Sequence, residues 1–141
     1  MTIQEKAKLV VDEFSIFDDW MDKYSYLIEL GKELPLIEDK YKNETHLISG
    51  CQSRVWLYAE ENNGIVKFTA DSDAVITKGI ISLLISVLSG SSPSDIITAN
   101  FDFLDEIGLK SHLSPTRANG LVSMIKQMQL YARALQLKRN E

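Results

Sequence analysis

Residues 48–57 read Ile48-Ser49-Gly50-Cys51-Gln52-Ser53-Arg54-Val55-Trp56-Leu57, and the character of the chain changes within them. Before them lie polar residues that interrupt helical spacing. From Arg54 to Ala59 the residues alternate, with Val55, Leu57 and Ala59 on one face and Trp56 and Tyr58 on the other. A period of two in β-prone residues predicts a strand. Glu61-Asn62-Asn63-Gly64 follows, and Asn-Gly between two alternating runs is a strong hairpin signal. Ile65 to Ala70 returns as the second strand, with Ile65, Lys67 and Thr69 opposed to Val66, Phe68 and Ala70. Both faces carry large side chains, so each is expected to be covered at least in part.

On either side the spacing is helical. Thr2 followed by Glu5 is a capping box, and Ala7, Val10, Val11 and Phe14 then fall on one face. Ser15 followed by Asp18 reads as a second helix start. Phe17, Trp20, Met21, Tyr24, Leu27 and Ile28 recur at helical spacing, and Gly31 is expected to close that helix. The two helices are expected to form a hairpin with a shared apolar seam, its aromatic stripe serving as core. Leu34-Pro35-Leu36 ends helical structure. Asp71-Ser72-Asp73 stands before an apolar segment running from Ala74 to about Leu88. Carboxylates there are read as an N-terminal cap in preference to a paired-carboxylate active site. The helix is apolar on most sides and should be central. Ser92-Pro93 starts a short helix, Phe101 to Ile107 forms another closed by Gly108, and Ser114-Pro115 opens a last one to about Leu137. Leu121, Ile125, Met128, Ala132 and Leu135 give that helix an apolar face.

Composition narrows the function. The chain has 141 residues, 45% hydrophobic and 25% charged, which suits one globular domain with a real core. The formal charge is −5. Broad, sequence-independent nucleic-acid binding is therefore not expected, since it needs clustered Lys and Arg. The N-terminus reads as an amphipathic helix rather than a secretory leader. The longest apolar-rich stretch, Val75 to Leu88, is too short and too polar to span a bilayer. With one cysteine no disulfide can close within the chain, and an unpaired thiol fits a reducing compartment. A cytoplasmic location is expected, with no membrane contact.

A lone cysteine is ordinarily a small buried hydrophobe. Cys51 differs in its setting. Gly50 lets the backbone turn just before the thiol, Gln52 follows it, and the strand beyond holds the loop on a rigid edge. Flanking apolar residues predict a thiol buried or half-buried at rest. A cysteine-ligated zinc or iron–sulfur site needs three or four ligands, and one Cys with His46 and His112 cannot supply them alone. No metal site is expected. No CxxC pair, phosphate-binding glycine loop or Gly-x-Ser-x-Gly elbow is present. A Cys–His hydrolase stays formally open, with His46 five residues before the thiol or His112 approaching in the fold. A single thiol can also carry a group. It can attack the outer sulfur of a persulfide on another protein, whose cysteine leaves as thiolate.

The stretch Ser-Gly-Cys-Gln-Ser-Arg-Val-Trp-Leu at 49–57 resembles the signature of the SufE family, sulfur-acceptor partners of cysteine desulfurases. The similarity continues through Asp71-Ser72-Asp73-Ala74 with Lys78-Gly79, and through 113–121, Leu-Ser-Pro-Thr-Arg-Ala-Asn-Gly-Leu. The resemblance covers nearly the whole chain. It implies one domain over residues 1–141, an α+β fold with helices packed around a small antiparallel sheet, related to iron–sulfur scaffold proteins. It maps the acceptor cysteine onto Cys51 and a partner-binding arginine onto Arg117. Gly50, Gln52, His46 and Asp73 complete the expected loop and partner-binding set.

The implied function is persulfide acceptance on Cys51 from a cysteine desulfurase, stimulating that enzyme, followed by relay to an iron–sulfur cluster scaffold. The protein is then a non-classical sulfurtransferase rather than a stand-alone enzyme, monomeric or homodimeric, and the pyridoxal phosphate belongs to its partner. The rival readings are an allosteric desulfurase activator, a cluster scaffold and the Cys–His hydrolase. From its residues alone, Arg117 lies at the third helical position after Ser114, where the dipole does not favour a cation. That suggests a carboxylate or partner contact, with a plain surface arginine as the equal alternative. Gly120 inside a helix costs about 1 kcal/mol relative to Ala, which the close approach of another backbone would explain.

Overall fold

The hairpin forms as read. In the computed structural model, which describes residues 1–139, β1 (Val55–Asn62) and β2 (Ile65–Ser72) pair antiparallel, Val55 opposite Ser72 and Asn62 opposite Ile65. Asn63 (φ 53°) and Gly64 (φ 82°) both take the left-handed conformation that a tight two-residue turn requires. The face bearing Val55, Leu57, Ala59, Val66, Phe68 and Ala70 is buried, and Trp56 and Tyr58 on the other face are half-covered. Single bridges widen the ribbon: Leu36 runs parallel beside Ala70, Leu47 lies opposite Trp56, and Ser91 lies opposite Val66.

Six helices among the described residues surround it, so the architecture is α+β. They are α1 (Ile3–Phe14), α2 (Trp20–Lys32), α3 (Val75–Leu88), α4 (Pro93–Ile97), α5 (Asp102–Glu106) and α6 (Pro115–Arg139). Short 3-10 turns occupy Asp39–Tyr41, Glu44–His46 and Lys110–His112. The central element is α3, buried on nearly every side and packed against α1, α2, α6 and β2. The Thr2–Glu5 capping box is present. Ser92 caps α4 with Pro93 in its first turn, and Gly108 follows α5 with φ 72°. Leu121, Met124, Met128 and Ala132 seat α6 on the core, with Ile125 and Leu135 partly covered. No helix among the described residues is long and apolar enough to cross a membrane.

Four expectations need correction. Ser15 does not open α2; its hydroxyl donates to the Asp12 carbonyl at the end of α1, and Asp19 accepts from the Asp22 amide to cap α2. Gly31 does not close α2, which continues to Lys32. Its missing side chain serves a crossing instead: a Cβ on Gly31 would lie 3.1 Å from the Gly79 nitrogen, and one on Gly79 2.2 Å from the Leu27 carbonyl oxygen. The shared seam of α1 and α2 is also confined to their turn, where Phe14 and Phe17 meet Tyr26 with ring centroids 5.3 and 5.2 Å away. Along its length α2 packs on α3. Met21, expected on the apolar face, is 79% exposed.

Candidate functional site

The cysteine sits on a loop closed at its neck. The Ile48 amide donates to the Val55 carbonyl at 2.8 Å, so residues 49–54 project from the start of β1. Arg54 is held three times. Its amide donates to Asp73 Oδ1 at 3.0 Å, and its carbonyl accepts from the Ser72 hydroxyl at 2.8 Å and the Asp73 amide at 3.3 Å. Asp71-Ser72-Asp73 is therefore a clasp on the loop and not the cap of α3. Ala74 occupies the capping position without a side-chain bond, and Asp71 ion-pairs with Lys42 at 2.8 Å and Lys78 at 3.5 Å. Burial alone would raise the Asp71 carboxyl. The bonds from Lys42 and the Ser72 amide, with the charges of Lys42 and Lys78, outweigh it and hold the group below the usual range.

At the tip, Gly50 has φ 90°, and a Cβ there would lie 2.4 Å from Ser123 Oγ. The backbone conformation favours glycine, and any side chain there would also push the Ser123 hydroxyl aside. The turn delivers Cys51, half-buried, with Sγ 3.7 Å from the Gly120 carbonyl oxygen on α6. Between loop, α3 and α6 lies a pocket of about 70 Å³ that the thiol shares with Thr77, Ile80, Arg117, Gly120 and Met124. A water takes up about 30 Å³ in the liquid, so the pocket has room for one or two atoms beside the sulfur. Burial pushes the thiol pKa up. Burial therefore works against the thiolate, the form that acts as a nucleophile.

The expected site residues separate into two sets. Cys51, Gln52 and Arg117 line the pocket, with Gln52 and Arg117 exposed on its rim, while Gly50 stands next to the thiol in the chain and packs against Ser123. Asp73 stands at the neck of the loop. His46 lies elsewhere: its Nδ1 is 3.0 Å from Asn43 Oδ1, and its ring edges onto Tyr41 and Tyr58. His112 stacks on Trp20 at 4.0 Å with Nδ1 2.9 Å from the Gly108 carbonyl oxygen. Neither imidazole hydrogen-bonds the thiol, so this arrangement holds no Cys–His dyad. Among the described residues no three His, Cys, Asp or Glu side chains converge as metal ligands. No backbone crowds Gly120, contrary to expectation; the atom nearest its absent Cβ is Cys51 Sγ, at 3.6 Å. Sequence reasoning missed Ser123, Thr77 and Ile80. The one available signal was Gly120 with Ser123, two small residues one helical turn apart facing a lone cysteine.

Known proteins match the chain over most of its length. The SufE family, described as an Fe-S metabolism associated domain, matches residues 8–132. An uncharacterised SufE-like protein of Rhizobium etli is 38% identical over 124 residues, covering 84% of each chain. One from Rhizobium meliloti is 36% identical over 124 residues, covering 84% of this chain and 89% of that one. The solution structure of a hypothetical protein from Thermus thermophilus shares the fold, with TM-score 0.77 at 22% identity over 92% of this chain and 94% of that one. The chain thus belongs to the SufE family, whose domain is associated with iron–sulfur metabolism.

Proposed function

We propose that the protein is a sulfur acceptor that takes a sulfane sulfur onto Cys51 from a cysteine desulfurase and relays it to an iron–sulfur cluster assembly scaffold. The observation that carries this reading is a sole thiol at the tip of a clasped loop, over a pocket with space beside its sulfur. The Cys51 thiolate attacks the outer sulfur of the donor's persulfide. The new S–S bond forms on Cys51, the donor's own S–S bond breaks, and the donor cysteine leaves as thiolate. The proton of the outer sulfur travels with it, and no external oxidant or reductant enters. Clearing its cysteine stimulates the desulfurase, which supplies the pyridoxal phosphate. The chain acts as a single persulfide-carrying domain in a reducing compartment such as the cytoplasm.

Gly50 and Gln52 shape the loop, Asp73 pins its neck, and Arg117 on the rim offers a cation to a partner carboxylate. His46, away from the pocket, is left as a contact for the edge of the partner. A sheltered, protonated thiol also suits an activator that works by binding alone. Intact mass after incubation with an active cysteine desulfurase and cysteine, without reductant, separates the two. A gain of one sulfur, reversed by dithiothreitol and missing in Cys51→Ser, supports acceptance. No gain, together with full stimulation by Cys51→Ser, would replace it with the activator.

A further inference from the structure

Thr77, the third residue of α3, is only 5% exposed, the most buried polar residue among those described. The buried Ser72 and Ser82 donate their hydroxyls to the Arg54 and Leu30 carbonyls. The Thr77 hydroxyl has no hydrogen-bond partner among the described residues. Yet no side-chain oxygen among them is both sealed off and unpartnered. That hydroxyl therefore opens onto accessible space, and the space that Thr77 lines is the pocket of Cys51. The other polar side chains around the pocket are wetter: Gln52, Thr116 and Arg117 are exposed and Ser53 is half-buried. Ile80 and Met124, both buried, form the rest of the inner wall. The interior is thus apolar except for a buried hydroxyl with nothing to bond.

We propose that Thr77 is the sulfur-positioning residue of this protein, its hydroxyl donating a hydrogen bond to the ionised outer sulfur of a persulfide carried on Cys51. This rests on the sulfur-acceptor reading and names the group that holds the cargo. In the unloaded protein the thiol donates toward the Gly120 carbonyl oxygen, 3.7 Å away. Loading replaces the thiol hydrogen with a second sulfur about 2.05 Å farther out, so Sγ has no proton left to give that carbonyl. The outer sulfur of a persulfide is more acidic than a thiol. Once its proton has gone to solvent it needs a donor, which the Gly120 carbonyl cannot be. A threonine hydroxyl can donate and is free to turn toward its acceptor. Apolar burial opposes an anion, as it does for the thiol itself. A hydrogen bond to the charged form offsets that opposition. The position of Thr77 in the first turn of α3 adds to it, since the helix dipole favours negative charge there. Arg117 is the one charged side chain lining the pocket among the described residues, and it stands at the mouth. An anionic outer sulfur repels an incoming thiolate, so the held form keeps its sulfur until a partner displaces the loop.

The full-length chain is loaded with sulfur from an active cysteine desulfurase and cysteine, and in parallel from inorganic polysulfide, whose end sulfur the Cys51 thiolate takes as a shorter polysulfide leaves. Thr77→Val keeps the shape of the side chain and removes the hydroxyl, Thr77→Ala removes both, and Thr77→Ser keeps the hydroxyl. Intact mass follows the lifetime of the persulfide against dithiothreitol. Its near-ultraviolet absorbance across a pH series follows its ionisation, a property that packing alone does not set. In Thr77→Val and Thr77→Ala the persulfide is expected to be about tenfold less acidic, the worth of a hydrogen bond to a charged group. Dithiothreitol is expected to strip it several times faster, and Thr77→Ser should stay close to the wild type on both counts. Urea unfolding midpoints and alkylation rates of the unloaded thiol show that fold and loop are intact. Wild-type acidity and lifetime in Thr77→Val or Thr77→Ala would overturn the Thr77 contact and leave sulfur acceptance standing. Equal losses in Thr77→Ser would assign the effect to packing and overturn the contact as well. Loading from polysulfide but from no active desulfurase would overturn the acceptor reading, while the variants still read the contact. Loading of the folded wild type from neither source would overturn both.

Discussion

At the scale of single residues, Gly120 carries the most information. In the interior of a helix glycine is about 1 kcal/mol worse than alanine, and no backbone approaches to explain it. What its missing methyl spares is the space beside Cys51 Sγ, 3.6 Å from where that methyl would stand. A persulfide places its outer sulfur about 2.05 Å beyond the first, so that space is of the kind a carried sulfur occupies. Gly120→Ala separates stability from chemistry. Urea unfolding is expected to shift to higher denaturant, reflecting up to about 1 kcal/mol of helix propensity. Sulfur loading on Cys51, followed by intact mass, is expected to slow or to yield a shorter-lived adduct. A stabilised variant that loads and holds sulfur like the wild type would leave Gly120 with no part in the site.

At the scale of elements, the loop and its clasp form one device. Arg54 is tied to Ser72 and Asp73 through three hydrogen bonds, while Gly50 and Cys51 rest on α6. Opening the loop for a partner strains the neck least if the tip lifts first. Asp73→Ala removes the carboxylate that accepts from the Arg54 amide and is expected to cost about 1 kcal/mol of local stability. That corresponds to an increase of about fivefold in the open population, read as faster alkylation of Cys51 by iodoacetamide at fixed pH. Asp73→Asn keeps an acceptor oxygen and should fall between the two. Unchanged alkylation in Asp73→Ala would mean that the clasp does not govern access. The hairpin beneath this device was legible from sequence, because alternation around Asn63-Gly64 is a local signal. So were the caps at Thr2, Ser92 and Ser114. The clasp was not. Carboxylates just before a helix look like caps, and only the folded chain brings the Arg54 amide to Asp73. Gly31 misled in the same way, since a glycine near a helix end resembles a terminator until Gly79 appears across from it. The lone thiol could be singled out, but its pocket draws on 51–53, 77–80 and 116–124, three stretches that no local period connects.

At the scale of the whole molecule, charge is what ties distant segments together. Asp71, at the end of β2, holds Lys42 from the polar loop and Lys78 from α3. It thereby joins the segment before the cysteine loop to the helix behind it. Its carboxyl ionises at lower pH in the folded chain than in the unfolded one, where the ordinary value is near 3.9. Above that value both states are ionised and the contribution to stability is complete. As the pH falls from about 4 toward the folded value, the unfolded chain binds the proton first and the contribution is lost. Asp71→Asn cannot take up that proton. It is expected to be less stable than the wild type at pH 7 and to lose less stability on acidification, so the two curves converge as the pH drops. Urea unfolding midpoints taken at intervals from pH 7 to pH 3 would show that convergence. Parallel curves would mean that the two lysines hold Asp71 no better than water does, and that the segment carrying Lys42 is fastened to α3 by its apolar contacts alone.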